Sequence, residues 1–174
     1  MTSDERVLLQ RTAELAADFL DTLDTRPIRP SAGVEELRES LGGPLPDTAS
    51  DPLQVIDALS AAAEPGIVGI PSGRYFGFVI GGALPAALAA DWLTSVWDQN
   101  AGLVIAGPSA AVVEEVAGEW LKELLGIPAS ASFSFVTGCQ MAHATCFAAA
   151  RHAVLDRVGW DVEQDGLAGS PPIT

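Results

Sequence analysis

The feature that most constrains this chain is the stretch from Ser132 to His152, SFSFVTGCQMAHATCFAAARH. Phe133, Phe135 and Val136 alternate with polar or small residues, which predicts a short strand over 132–136. Thr137-Gly138 turns the chain. From about Gln140 to Val158 the residues are Ala-rich and helix-forming, so a helix follows. A strand, a tight glycine turn and a helix start gather unpaired backbone N–H groups in one place. The helix dipole favours an anion there, and a phosphate fits such a corner. Geometry of this kind also occurs at corners that bind nothing.

Upstream, the pattern is helical. Thr2 and Glu5 have the spacing of a capping box, and Leu8, Leu15, Phe19 and Leu23 fall on one face of a first helix that Pro27 and Pro30 end. Ser31 can cap a second helix with Val34, Leu37 and Leu41 inward, stopped at Gly42-Gly43. Asp51-Pro52 reads as N-cap and N1 of a third, with Leu53, Ile56, Leu59 and Ala63 as its buried stripe. The segment from Gly66 to Gly82 holds six glycines and Pro71, which makes it a structured loop able to approach a ligand or another chain. Helices follow over 84–100, with Leu88, Trp92 and Val96 toward the core, and, capped by Ser109, to Leu125, with Val112, Val113, Val116, Trp120 and Leu124 inside. Glu114, Glu115, Glu119, Lys122 and Glu123 read as a solvated face. After Val158 the chain is turn-rich.

Composition narrows the function. The 23 acidic and 9 basic residues give a formal net charge of −14, which argues against nucleic acid and anionic membrane surfaces as partners. The longest stretch without formal charge, between Glu123 and Arg151, carries Gly, Pro, Ser, Thr, Gln140 and His143, a poor membrane span. The charged, amphipathic N-terminus is not a secretory signal. Cys139 and Cys146, seven apart on one helix, are roughly 10 Å apart and cannot form a disulfide. Reduced thiols suit a cytoplasmic protein, and no metal set converges from Cys139, Cys146, His143 and His152.

F-V-T-G-x-x-M-A followed by a helix ending A-A-A-R-H resembles the cofactor-phosphate corner of the pyridoxal-phosphate-dependent group II amino-acid decarboxylases, the family of the aromatic-L-amino-acid and glutamate decarboxylases. Arg74-Tyr75-Phe76-Gly77-Phe78 is similar to that family's aromatic segment at the substrate pocket. Asp98-Gln99-Asn100-Ala101, Pro108, Glu114, Glu115 and Trp120-Leu121 fit the helices that follow. The resemblance implies a mostly α chain: an N-terminal helical layer plus the first helices and strand of a fold-type-I transferase-like α/β large domain. It divides the chain into a dimerisation layer (1–66), a substrate-pocket loop (67–83) and the incomplete start of the cofactor-binding domain (84–174). It implies pyridoxal 5′-phosphate as cofactor, an amino acid as substrate, carboxy-lyase chemistry and an interlocked homodimer. Thr137, Gly138, Cys139 and Gln140 then hold the phosphate, and Phe78, Val79 and Ile80 line the substrate pocket. Gln140 and His143 depart from the small or hydroxylic residues, and the Asn or Thr, usual at their positions. Ser72-Gly73 stands where His-Pro is usual.

The family's reaction also needs a Schiff-base lysine and an aspartate on the pyridine nitrogen. The chain has one lysine, Lys122, among glutamates one turn from a helix end. It is expected to stay charged and to play no catalytic part, so the chain alone is expected to be inactive, with no catalytic residue of its own. The alternative is a catalytically inactive relative that acts as a dimerisation or interaction module.

Overall fold

The computed structural model describes residues 3–173, and the Thr2 capping residue lies outside them. Seven α-helices and one 3-10 turn are formed among the described residues. The chain divides into two compact units, 1–96 and 97–174.

In the first unit, α1 (Ser3–Asp21), α2 (Val34–Leu41) and α3 (Pro52–Ala63) form the helical layer, with α3 packed on both others. Leu8, Leu15, Phe19 and Leu23 are half-buried, as the 3.6-residue spacing requires, while Val7, Leu9 and Leu20 on the other faces are exposed. Arg11 Nε donates to Asp57 Oδ1 at 2.7 Å and ties α1 to α3. The hydrogen bond to Asp57, then that to Glu14, raises the Arg11 pKa, so this guanidinium stays charged. Asp51 caps α3 as its position foretells, accepting from the Leu53 N–H at 3.2 Å. Ser31, by contrast, does not cap α2. Its hydroxyl turns to the Pro65 carbonyl at 3.3 Å, and Gly33 takes the N-cap position. The inward assignments of Val34, Leu41 and Leu59 are also corrected, since all three are exposed.

The glycine-rich segment is anchored at its start. Arg74 Nη2 donates to the carbonyls of Leu23 (3.1 Å) and Arg26 (2.7 Å), and the Gly69 N–H donates to Ile28 O at 3.0 Å. Arg26 in turn stacks 4.3 Å over the Phe19 ring and pairs with Glu64 at 2.6 Å. The helix read over 84–100 is α4 (Pro85–Trp97). It stops where Asp98 adopts φ 46°, and its Trp92 and Val96 are exposed rather than in a core.

In the second unit, α5 (Pro108–Leu125) starts from Gly107 with Pro108 in its first turn, so Ser109 is not the cap. Gly126, at φ 67°, ends it in the left-handed conformation that glycine adopts without strain. The helical period of α5 matches its pattern of apolar residues, but the phase does not. Val112, Val113, Val116, Trp120 and Leu124, expected inside, are exposed, and the buried face carries Gly118 and Lys122. The cause is the segment 127–136, which folds back over that face. It turns at 128–131, where the Ala131 N–H donates to Pro128 O at 2.9 Å, and it forms no strand among the described residues, so the strand read over 132–136 is corrected to an irregular run. A strand needs a ladder partner to satisfy its backbone. Here Phe133 instead lays its ring on Gly118, and Phe135 meets Phe133 edge-on at 5.8 Å.

Helix α6 (Cys139–Asp156) follows, and α7 (Val162–Asp165) forms within the stretch read as turn-rich. Asp161 caps α7 by accepting from the Glu163 and Gln164 N–H groups. Leu155, 1% exposed, and Val162 make the core where the two helices meet. Overall the chain is mostly α, and no described helix is long and apolar enough to cross a membrane.

Candidate functional site

The candidate phosphate corner stands where α6 begins. Val136 is half-buried, and Thr137, Gly138, Cys139 and Gln140 are all exposed. Gly138 is the N-cap, and its carbonyl accepts from the Ala142 N–H at 3.0 Å. No side chain caps the helix, so the first-turn N–H groups point outward without a side-chain acceptor of the chain's own. The first turn also lacks acidic residues. In a chain of net charge −14 this is a place where a dianion meets dipole and donors and no adjacent carboxylate.

Pyridoxal 5′-phosphate can be tested against these residues in two parts. The phosphate fits: backbone N–H groups of the α6 start, the Thr137 hydroxyl and the Gln140 amide are all donors at an accessible, uncapped helix end. The aldehyde finds no free lysine amine. Lys122 was expected on a solvated face and is in fact buried. Its Nζ donates to Ala129 O and Ala131 O at 3.0 Å each and pairs with Glu119 Oε1 at 2.8 Å, with the Phe133 ring centroid 5.8 Å away. Three acceptors take up the three donors of an ammonium.

His143, one turn into α6, places Nε2 3.8 Å from Cys139 Sγ, and its ring lies 6.3 Å from that of Phe147. Cys139 and Cys146 are free and exposed thiols.

Phe78, Val79 and Ile80, expected to line a substrate pocket, belong to the first unit. Phe78 and Val79 project fully into solvent and Ile80 is exposed as well. Phe78 and Val79 both hold φ 55°, a left-handed conformation that costs non-glycine residues roughly 1–2 kcal/mol each. For the β-branched Val79 this is a marked outlier. Tyr75 is half-buried, but Phe76, like Phe78, lies in solvent, so those rings do not pack this loop on a core. The structure therefore brings Thr137, Gly138, Cys139 and Gln140 together at one corner and Phe78, Val79 and Ile80 together on one loop.

Comparison with characterised proteins bears on what these elements belong to. No protein-family model matches the chain. An aromatic-L-amino-acid decarboxylase of Bacillus atrophaeus is 30% identical over 151 residues, which cover 87% of this chain and 32% of that protein. Tryptophan decarboxylase 1 of Oryza sativa subsp. japonica is 27% identical over 95% of the chain and 34% of its own length. The chain is homologous to the N-terminal portion of the group II amino-acid decarboxylases. It spans about a third of the length of the curated relatives it matches. Among these decarboxylase relatives is also a 4-hydroxyphenylacetaldehyde synthase of Rhodiola rosea, 29% identical over 88% of the chain and 33% of that protein. The mostly α architecture agrees with a helical N-terminal portion of a decarboxylase.

What the sequence did not reveal is the clamp in which buried Gly118 and Lys122 meet the partly exposed Phe133. One signal for it was present: a glycine inside a strongly helical segment weakens the helix, and usually marks a close approach.

Proposed function

We propose that this chain forms part of a pyridoxal-phosphate-dependent carboxy-lyase acting on an aromatic amino acid, a cytoplasmic homodimeric enzyme. Its relatives' names supply the substrate class, since aromatic-L-amino-acid, tryptophan and tyrosine decarboxylases recur among them. The observation that carries the reading on this chain's own atoms is the uncapped, acid-free start of α6 directly after Phe135-Val136-Thr137-Gly138. Bound pyridoxal 5′-phosphate supplies the electron sink for the charge left as carbon dioxide departs. The chain's part is to hold and orient. The N–H groups of Cys139 and Gln140 and the α6 dipole take the phosphate dianion. Thr137 and Gln140 add side-chain donors. Phe78, Val79 and Ile80 offer apolar surface to the substrate's ring, and the helical layer supplies dimer contacts.

The test is to titrate the chain with pyridoxal 5′-phosphate and with pyridoxal, which lacks the phosphate. The expected result is tighter binding of the phosphorylated compound, and a Gln140→Glu change that weakens it about tenfold while leaving pyridoxal unaffected, since a like charge beside a dianion costs on the order of 1–2 kcal/mol. Equal affinities for the two compounds defeat the reading. Borohydride treatment is expected to leave Lys122 unlabelled.

A second reading, a dimerisation or interaction module without turnover, is favoured by one observation. The chain exposes 13877 Å², against about 8,000 Å² for a self-contained monomer of its mass. Turnover of an aromatic amino acid by the chain itself would exclude this module.

A further inference from the structure

Lys122 is 6% exposed, although lysine is almost never buried unless its charge is matched. Its acceptors show what the burial does. Glu119 lies on the same helix, one turn back, whereas Ala129 and Ala131 lie on the segment that leaves α5 and returns over it. One ammonium thus bridges the end of α5 to the return segment at two carbonyls two residues apart. Close beside it, a Cβ on Gly118 would come within 2.1 Å of the Phe133 ring, so the ring rests directly on the α5 backbone. Both contacts fall just before Thr137, and only three residues separate Phe133 from it.

We propose that Lys122, with Gly118 and Phe133, is a positioning residue for the phosphate corner. The clamp fixes the path of residues 129–133, and that path sets where Thr137, Gly138 and the first N–H groups of α6 stand. The inference rests on the phosphate reading above for its functional meaning. It does not make Lys122 catalytic, because its donors are committed to Glu119, Ala129 and Ala131. The return segment has no strand partner among the described residues to hold it otherwise, so the clamp does for it what a sheet ladder does elsewhere.

The experiment compares the full chain with Lys122→Met and, independently, Phe133→Ala. Two readouts are taken: amide hydrogen exchange by residue, and the affinity ratio of pyridoxal 5′-phosphate to pyridoxal. In both variants the hydrogen-bonded amides of residues 142–145, the first protected turn of α6, are expected to exchange faster by about tenfold, while those around Leu155 and Val162 keep their protection. The preference for the phosphorylated compound should fall by about tenfold, the scale of ordering a loosened segment on binding. Wild-type exchange at 142–145 in both variants overturns the proposal. So does loss of protection throughout α6, which would make the clamp a general stabiliser. If Lys122→Met does not fold, Phe133→Ala decides alone. A wild-type chain that does not discriminate the two compounds defeats the phosphate reading, while the exchange data still decide whether the clamp positions the corner.

Discussion

Gly118 shows how much one missing side chain can determine. A glycine inside a helix costs about 1 kcal/mol relative to alanine, so Gly118→Ala would stabilise α5 if nothing touched that face. Phe133 does touch it. Displacing a packed ring costs about 1–3 kcal/mol, and the expected net effect is a loss of about 1 kcal/mol, read as a lowered midpoint in thermal or urea unfolding. A gain of stability would mean that Phe133 does not rest on this helix in solution. Lys122 makes the same point about charge. Among glutamates and near a helix end it has every local mark of a surface lysine, and only the carbonyls of Ala129 and Ala131, seven and nine residues on, decide otherwise. At Phe78 and Val79 the residue types give no hint of the left-handed backbone they adopt. Both stand at the centre of the turn that the Ile80 N–H closes on the Gly77 carbonyl at 3.4 Å.

At the scale of elements, local chemistry was legible and tertiary context was not. Asp51-Pro52 sets the start of α3, Gly126 stops α5, and the Leu8, Leu15, Phe19, Leu23 stripe of α1 is the covered face, because each of these depends on residues within a turn or two. Asp51→Ala should therefore cost about 1 kcal/mol and lower the unfolding midpoint of the first unit, and an unchanged midpoint would mean that the cap contributes nothing. The start of α6 was legible to within one residue, and with it the candidate phosphate corner. The strand over 132–136 was not, because alternation says that a segment is extended and cannot say whether a partner strand lies beside it. The phase of α5 failed for a related reason: its apolar residues outnumber one face, and the returning segment covers the face that carries Gly118 and Lys122. The Arg11–Asp57 pair works between elements too. Its raised guanidinium pKa contributes stability that is fully present at neutral pH and is lost only as pH climbs through the strongly alkaline range, so this group adds no pH slope near neutrality.

The whole molecule is defined by how little it buries. An unfolded chain of 18.0 kDa exposes about 26,000 Å², and the folded chain still exposes 13877 Å². Folding thus removes about two-thirds of the area that a compact protein of this size removes. The urea m-value scales with that area and is expected to be about two-thirds of the value usual for 174 residues. A full-sized m-value would show that the chain covers its apolar surface in solution, by self-association or otherwise, and sedimentation across a concentration range would separate those cases. The clamp has one more consequence at this scale. Lys122 is the single lysine of the chain, and it is buried. Its ε-amine is then a built-in clock: an acylating reagent can reach it only in moments when the return segment lifts, so the rate of that one covalent mark counts openings of the clamp in an unmutated protein.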